Sequence, residues 1–226
     1  MTKIAIHQPM FLPYPGFFNK IKEADIFVIG DDAYYSRRYF YNRNKIKTPN
    51  GTLMLTVPLI DPERKKLNEV KIFNETNWKH KHLRSLQTFY RKADYYEDHI
   101  PFFEKVYNKN WDLLFDISME TMYYLMEQLG LDIEIYYTSE ILKDYEFKGK
   151  TQRIIDICKI LGADEYLSGI GGKNYLEPEL FEKNGIKLEF QNYKPKKYKQ
   201  LYGEFIPNLS TIDLLFNMGE KAIDYI

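Results

Sequence analysis

The fold is indicated most clearly by KIAIHQPMFLPYPGFFNKIKEADIFVIGDD, residues 3–32. Its outer parts, KIAIH at 3–7 and DIFVIG at 25–30, are short apolar or alternating runs, which is the pattern of a buried strand. Between them, GFFNKIKEA has helical spacing and follows a Pro-Gly break. The stretch therefore predicts a strand, a loop, a helix and a second strand.

The same alternation returns in the last hundred residues. DIEIYYTSEI, EYLSGI and IKLEFQNY are typical of strands, and KTQRIIDICKILGA and LEPELFEKNG are typical of helices. Strands that alternate with helices favour a mostly parallel sheet covered by helices on both faces. The predicted fold class is therefore α/β.

Two insertions interrupt this alternation. Asn50-Gly51 stands between segments of strand composition, which predicts an antiparallel hairpin. The sequence from about 74 to 130 reads as three helices, and we interpret it as a helical insertion. At 226 residues, one α/β domain covering residues 1–226 is a better expectation than two domains.

Composition excludes several classes of protein. The 32 Lys plus Arg residues balance 32 Asp plus Glu residues, which argues against a protein that coats nucleic acid. The one cysteine, Cys158, lies in an apolar helical stretch and suits a reducing compartment. There is no signal-peptide pattern and no apolar run near the roughly 18 residues that cross a bilayer. We expect a cytoplasmic protein without a membrane span, and its oligomeric state stays open.

Polar and small residues follow each predicted parallel strand. In an open parallel sheet, the carboxyl ends of the strands face a common crevice where ligands bind. The residues at those ends are His7, then Asp31 and Asp32, then Thr138 and Ser139, and finally Ser168, Gly169, Gly171, Gly172 and Lys173. Their recurrence predicts a functional site along this edge.

Several of these residues have two interpretations. His7 suits a general base, although a structural histidine at a strand end would look the same. Asp32 can orient that base, hold a divalent ion or bind sugar hydroxyls, or simply form a turn. SGIGGKNYL can approach a phosphate, with Lys173 as a point charge, or can be an ordinary tight turn between strand and helix.

The segment YYSRRYFYNRN, residues 34–44, interleaves three arginines with aromatic rings. This composition suits stacking on a base or sugar while a guanidinium clamps a phosphate or carboxylate, although an aromatic edge strand would look similar. Further along, His80 and His82 lie two residues apart, so a helix would direct them differently, which disfavours a histidine-based metal site. Trp78 and His82 share a helical face and can close over a pocket.

The sequence resembles the WbqC-like protein family along almost its full length. The resemblance rests on HQPMFLPYPGFFNKI, ADIFVIGDDAYYSRRYFYNRNKIKTPNG, LTVP, YLSG and LSTIDLLFN. The residues that match the family pattern are His7, Gln8, Pro9, Gly16, Phe17, Lys20, Asp32, Tyr35, Asn42, Arg43, Asn44, His82, Ser168, Gly169 and Tyr175. Tyr14, Phe40 and Leu53 stand where typical members carry tryptophan. The resemblance implies a role in making or modifying a bacterial surface polysaccharide.

The layout of the first strand, turn and helix is also similar to that of nucleotidylyltransferases, which implies a Rossmann-like (nucleotidyltransferase-like) sheet. Those enzymes use an H-x-G-H signature, and the matching residues here are Tyr14, Pro15, Gly16 and Phe17. Both imidazoles are absent, so only the architecture and not the activity carries over.

Our leading hypothesis is a group transferase that acts on a nucleotide-linked or otherwise activated sugar in O-antigen biosynthesis. His7 and Asp32 would transfer protons, and no metal or cofactor is assigned. The expected substrate-binding residues are Gln8, Lys20, Tyr35, Arg38, Asn42, Arg43, His82, Ser168, Gly169, Lys173 and Tyr175. Two alternatives stay open: a noncatalytic module that binds a sugar nucleotide, and an RNA-dependent aminoacyl transferase, against which the neutral charge counts.

Overall fold

The computed structural model describes residues 1–226 and contains nine strands and eight α-helices. In chain order they are β1 (Lys3–His7), α1 (Pro15–Lys22), β2 (Ile26–Ile29), β3 (Arg43–Thr48), β4 (Gly51–Thr56), β5 (Leu59–Ile60), β6 (Lys71–Ile72), α2 (Trp78–Tyr90), α3 (Tyr96–Asn108), α4 (Leu114–Gln128), β7 (Glu134–Tyr137), α5 (Thr138–Ile141), α6 (Lys150–Ile160), β8 (Glu165–Ser168), α7 (Pro178–Lys183), β9 (Lys187–Phe190) and α8 (Thr211–Met218). Short 3-10 turns lie at Leu67–Glu69, Ile170–Asn174 and Gly219–Tyr225.

Five parallel strands form the central sheet in the order β7-β2-β1-β8-β9. The chain starts in the middle, builds outward to β7, and then returns to add β8 and β9 on the other side of β1. The order therefore reverses between β1 and β8, and a crevice opens at such a switch point beyond the carboxyl ends of the strands. The predicted α/β class with a mostly parallel sheet is confirmed.

Alternate side chains of the strands enter different cores, as a pleated strand requires. Ala5 and Phe27 belong to a cluster of 39 buried residues that also includes residues of α1, the hairpin, α2–α4 and α8. Ile4 and Val28 belong to a second cluster of 11 buried residues, with α6 and α7. Both faces of the sheet are thus covered, which explains why the inner strand β2 is wholly apolar.

The predicted hairpin is present as β3 and β4, which pair antiparallel from Arg43↔Thr56 to Thr48↔Gly51. Its two-residue turn is 49–50, so it falls one residue before the Asn-Gly pair singled out in the sequence. Gly51 is the first residue of β4 and has φ of +113°, a value that glycine adopts readily. β5 and β6 form a small antiparallel sheet of their own.

Three helices, α2, α3 and α4, occupy the region that the sequence predicts to be helical.

The helix α1 begins at Pro15, a favourable first position because proline has no N–H to leave unsatisfied. A Cβ on Gly16 would lie 2.4 Å from the Tyr14 ring and 2.7 Å from the Tyr193 ring. Glycine is needed there because these rings pack against the backbone of α1.

A buried hydrogen-bond network ties the C-terminal part of the chain to α2. Asp213 on α8 accepts hydrogen bonds from the Tyr90 hydroxyl (2.7 Å), the Tyr198 hydroxyl (2.7 Å) and the Gln200 amide (2.9 Å). The Tyr90 hydroxyl also accepts from the backbone N–H of Lys47 on β3, at 2.9 Å. Burial raises the pKa of Asp213, although these donors oppose that effect. The network fixes where the segment after Gln200 lies relative to the hairpin.

No helix of the structure is both long enough and apolar enough to span a lipid bilayer.

Replacing Asp213 with alanine should lower the free energy of unfolding by about 3 kcal/mol or more, because it removes the acceptor of the buried Tyr90 hydroxyl and of the half-buried Tyr198 and Gln200 donors, and opens a cavity. Urea titration followed by circular dichroism measures this. Asp132→Ala, at an exposed aspartate, is the control and should change stability by less than about 0.5 kcal/mol. A loss at Asp213 no larger than that of the control would contradict the structural role.

Candidate ligand-binding crevice

A cavity of about 630 Å³, called the crevice below, lies beyond the carboxyl end of β1. Its walls come from three parts of the chain: the end of β1 with the loop to α1, the segment 38–41 with the hairpin, and residues 206–209 before α8. The crevice thus lies at the carboxyl end of β1, one of the two strands between which the order reverses, and no residue of β8 lines it.

The crevice is lined by cations and aromatic rings, and by no aspartate or glutamate. Arg38 and Lys45 supply two positive charges, and Arg38 makes no salt bridge. The neighbouring Arg37, by contrast, pairs with Glu63 at 3.1 Å. The aromatic rings are those of Tyr14, Tyr39, Phe40 and Tyr41. Charge and composition together favour a ligand that carries an anionic group and a flat or apolar face.

His7, the last residue of β1, lines this crevice and is half-buried. Its Nδ1 lies 2.8 Å from the Gln8 carbonyl oxygen, and because a carbonyl accepts, Nδ1 carries the proton. Nε2 then keeps its lone pair and has no partner in the protein. Burial, and secondarily the positive charge of Lys20, lower the pKa of His7 to about 4. His7 is thus a neutral imidazole whose free nitrogen can accept a proton or a hydrogen bond.

Lys20 on α1 lies behind His7 as a buried ammonium group, with 3% of its surface exposed. Its Nζ donates to the Ile6 carbonyl oxygen at 2.7 Å, and no carboxylate pairs with it. Burial lowers the pKa of Lys20 to about 7. A buried amine without a counter-ion is costly, and perturbed groups of this kind cluster at functional sites.

Two predicted residues support the walls of the crevice from behind. The Tyr35 ring contacts Tyr41, with centroids 5.8 Å apart. The Arg43 guanidinium lies 5.4 Å from the centre of the Phe40 ring.

The pKa of the Tyr175 hydroxyl is raised, chiefly by burial and also by the neighbouring Tyr39. Asn42 has a structural contact instead, since its amide donates to the Val57 carbonyl at 2.8 Å.

Asp32, predicted as the proton-transfer partner of His7, has other partners in the structure. Both of its carboxylate oxygens accept from Arg153 on α6, at 2.6 and 2.7 Å, and one also accepts from the Thr138 hydroxyl. Burial raises the pKa of Asp32 and these donors lower it, with a net lowering. Asp32 is not a wall residue of the crevice, so the geometry leaves His7 without an acidic partner.

The strand-end residues after β8 also lie outside the crevice walls. The Ser168 hydroxyl donates to the Gly169 carbonyl at 3.1 Å. A Cβ on Gly172 would lie 2.1 Å from the Ser168 hydroxyl oxygen, so this glycine is required by packing. The Lys173 ammonium sits 5.3 Å from the centre of the Phe190 ring. The structure therefore gives this loop the features of a tight turn.

His82 lies in a different place from the other predicted substrate-binding residues. It lines a second cavity, between β4 and α2, that shares no residue with the crevice. Its ring stacks on Phe11 with centroids 5.9 Å apart. The structure thus brings His7, Gln8 and Arg38 together, with Lys20 behind them, and separates them from His82.

Sequence reasoning missed Lys45 and residues 206–209 as crevice walls. Lys45 had a usable signal, because it lies in the hairpin strand that follows the arginine-aromatic segment. Residues 206–209 had none, since they are brought to the crevice by contacts between distant residues, such as the hydrogen bond from the Ser210 N–H to the Lys45 carbonyl and those of Gln200 with Asp213 and Ile206.

Comparisons with known proteins give one family. The model of the WbqC-like protein family matches residues 8–225. The chain is also similar to the uncharacterized protein Rv1507c of Mycobacterium tuberculosis, with 33% identity over all of this chain and 98% of the relative. No solved structure matches.

The lowered pKa of His7 predicts how the stability of the fold depends on pH. The unfolded chain binds a proton on this residue below about pH 6.5, whereas the folded chain binds it only near pH 4, so stability falls as pH drops between these values. In His7→Gln, the fall in the free energy of unfolding between pH 7 and pH 4 should be smaller than in wild type by up to about 3 kcal/mol. Urea unfolding at pH 7, 5.5 and 4 measures this difference. His80→Gln, at an exposed histidine, is the control. Parallel stability curves for wild type and His7→Gln would refute a depressed pKa at His7.

Proposed function

The chain belongs to the WbqC-like protein family, and from this premise we propose that it is a group transferase acting on a nucleotide-linked or otherwise activated sugar in bacterial surface-polysaccharide (O-antigen) biosynthesis. The family resemblance supports the sugar context. The crevice supports the rest, because it combines a neutral histidine with cations and rings and contains no acid.

The observation that carries the proposal is the orientation of His7. Its Nδ1 proton is committed to the Gln8 carbonyl, so Nε2 is the nitrogen available to a ligand. In the proposed reaction, Nε2 accepts the proton of the hydroxyl or amine that receives the transferred group. That oxygen or nitrogen forms a bond to the group as the bond from the group to its phosphate breaks, and the phosphate or nucleoside diphosphate leaves. Asp32 is engaged by Arg153, and we therefore assign it to holding the loop after β2 and not to proton transfer.

Arg38 and Lys45 supply the positive charge that an activated sugar requires. A nucleotide-linked sugar carries a diphosphate, and a guanidinium without an acidic partner can bind it with two parallel hydrogen bonds. The aromatic wall around Tyr39 and Phe40 offers surfaces on which a base or a sugar ring can stack. Arg43 supports this wall through its contact with Phe40.

Lys20 makes the crevice ready for an anion. With a pKa of about 7 and no counter-ion, its amine is about half protonated at neutral pH. A phosphate near His7 would favour the charged forms of both Lys20 and His7, because an opposite charge raises the pKa of a cation. Ligand binding and proton uptake by Lys20 are therefore coupled in this proposal, whereas the negative charge of the phosphate raises the pKa of His7 and makes it a better base.

Crevice residues run from His7 to Leu209, which supports the inference that residues 1–226 act as one domain. A reducing cytoplasm suits the chain, whose one cysteine, Cys158, is buried. A noncatalytic module that binds a sugar nucleotide would use the same crevice, and the first experiment below separates it from an enzyme.

Replacing His7 with glutamine should abolish turnover and leave ligand affinity within about threefold, because the amide cannot serve as the base. Thermal-shift screening of UDP-, GDP-, CMP- and dTDP-linked sugars selects the ligand, since binding to the folded state raises the melting temperature. Turnover is then the consumption of that sugar nucleotide in a cell-free extract, followed by mass spectrometry. If His7→Gln binds the sugar nucleotide as tightly as wild type and wild type does not consume it, the binding module is favoured. Full turnover by His7→Gln would reject His7 as the base.

Arg38→Gln should weaken binding of the selected sugar nucleotide by about tenfold or more, because a charge-assisted hydrogen bond is lost. Arg37→Gln is the matched control on the neighbouring residue, since Arg37 pairs with Glu63 outside the crevice. Titration calorimetry measures both. Equal losses for the two variants would show that the segment contributes only general charge.

Binding of the selected sugar nucleotide at pH 7 should be accompanied by uptake of about half a proton, because the pKa of Lys20 is about 7. Titration calorimetry in buffers with different heats of ionisation measures this number. Lys20→Met should remove the uptake, whereas Lys22→Met, at an exposed lysine of the same helix, should retain it. Zero uptake by wild type, or equal uptake by Lys20→Met, would contradict the coupling.

A further inference from the structure

The outer edge of strand β4 has backbone groups without a partner. Thr48 and Gly51 flank the two-residue turn of the hairpin and form its first hydrogen-bonded pair, so the backbone groups of Thr52 and Met54 point away from β3. The N–H and carbonyl groups of these two residues bond to no other part of the chain. β4 therefore has an open edge.

The opposite edge of the hairpin is closed by the protein itself. The Lys47 N–H donates to the Tyr90 hydroxyl at 2.9 Å, and the Lys45 carbonyl accepts from the Ser210 N–H at 2.8 Å. These are the outward-pointing residues of β3, as Thr52 and Met54 are of β4. The fold thus covers one edge of the hairpin and leaves the other free.

β4 lacks the features that protect an open strand edge. Its sequence, GTLMLT, contains no charged residue and no proline, and its pairing with β3 has no bulge. The two outer strands of the central sheet differ, because β7 carries Glu134 and β9 carries Lys187 and Glu189. An exposed, uncharged edge such as that of β4 is a template on which another strand can pair.

The second cavity, called the groove below, lies between β4 and α2 and has a volume of about 610 Å³. Its apolar walls come from Leu53, Met54, Pro58, Trp78 and Phe89. Leu53 and Met54 are each 36% exposed, which is unusual for apolar residues in a strand. Alternate side chains of an added strand point to opposite faces, and the groove offers an apolar surface to one of these sets.

Charge around the groove favours an acidic partner. Lys81 and Arg84 line it, both are exposed, and neither makes a salt bridge. No aspartate or glutamate lines the groove. β3 and α2 contain three lysine or arginine residues each and, like β4, no acid, although the whole chain is neutral. A second copy of the chain would bring like charges together, so pairing of β4 with itself is disfavoured.

We propose that the open edge of β4 and the groove form a docking site for an extended acidic segment of a partner protein, which adds to the hairpin as a third strand. Its backbone bonds to that of Thr52 and Met54, alternate apolar side chains enter the groove, and its carboxylates bind Lys81 and Arg84. The groove shares no wall residue with the crevice, and the proposal does not depend on the reaction at His7.

Synthetic peptides test this docking site on the full chain. The probes are fluorescein-labelled peptides about eight residues long, in which valine, isoleucine or phenylalanine alternates with glutamate. Fluorescence anisotropy should show saturable binding of at least one of them. The same peptide with lysine in place of glutamate should bind at least about tenfold more weakly, because its charge is reversed.

N-methylation separates strand pairing from attraction by charge. Methyl groups on alternate backbone nitrogens remove the donors of one edge of the peptide and leave its charge unchanged. Of the two alternately methylated forms, the one whose methyl groups face β4 should bind at least about tenfold more weakly than the parent peptide. The other form should bind like the parent.

Two variants of the chain test the two parts of the site. Met54→Pro removes an outward-pointing N–H and no bond of the hairpin, and it should weaken peptide binding by about fivefold or more, whereas Met54→Val should not. Arg84→Gln should weaken it by about fivefold or more, whereas Arg91→Gln, at an exposed arginine following α2, should not. Circular dichroism checks that each variant is folded.

The proposal is overturned if no peptide of the set binds saturably, if both methylated forms bind like the parent, or if Arg84→Gln keeps wild-type affinity. An equal loss in Arg38→Gln would also overturn it, because the peptide would then lie in the crevice. A dimer of the chain alone in sedimentation velocity, dissociated by Met54→Pro, would show that a second copy occupies the edge and would overturn it too.

Discussion

The buried ammonium group of Lys20, without a carboxylate to neutralise it, is the constraint on which the site depends. A charge removed from water must be paired or must lose its proton, and the pKa of Lys20 is accordingly lowered to about 7. The same charge, added to burial, keeps His7 neutral at the end of β1. Lys20 has no carboxylate partner and donates to the Ile6 carbonyl, and no acid lines the crevice in front of it.

The fold explains why these groups meet. β1 is the middle strand, with β2 on one side and β8 on the other, so its carboxyl end opens at the place where the strand order reverses. The β3–β4 hairpin and residues 206–209 then close the crevice from outside the sheet. Asp213 holds this cover together by joining α2, the C-terminal segment and α8. The network thereby helps to set the shape of the crevice, because Gln200 also binds the wall residue Ile206.

Local pattern was enough to predict the architecture and part of the site. Alternating strands and helices predict the parallel sheet. Because His7 ends the first predicted strand, the pattern also places it at the carboxyl edge of that sheet. Contacts between distant residues were not accessible in this way. Asp32 is paired by Arg153, 121 residues away, and helical spacing places His82 beside Trp78 without saying which cavity that face borders. Likewise, the glycines after β8 look like a phosphate loop, but Gly172 is explained by its packing on Ser168.

The most direct test of the central claim is a crystal structure of the protein with the sugar nucleotide that raises its melting temperature most. We expect density in the crevice, with phosphate oxygens within hydrogen-bond distance of Arg38 or Lys45 and a sugar oxygen or nitrogen about 3 Å from His7 Nε2. A ligand bound elsewhere on the chain, or one in the crevice whose phosphates point away from both cations and from His7, would contradict it.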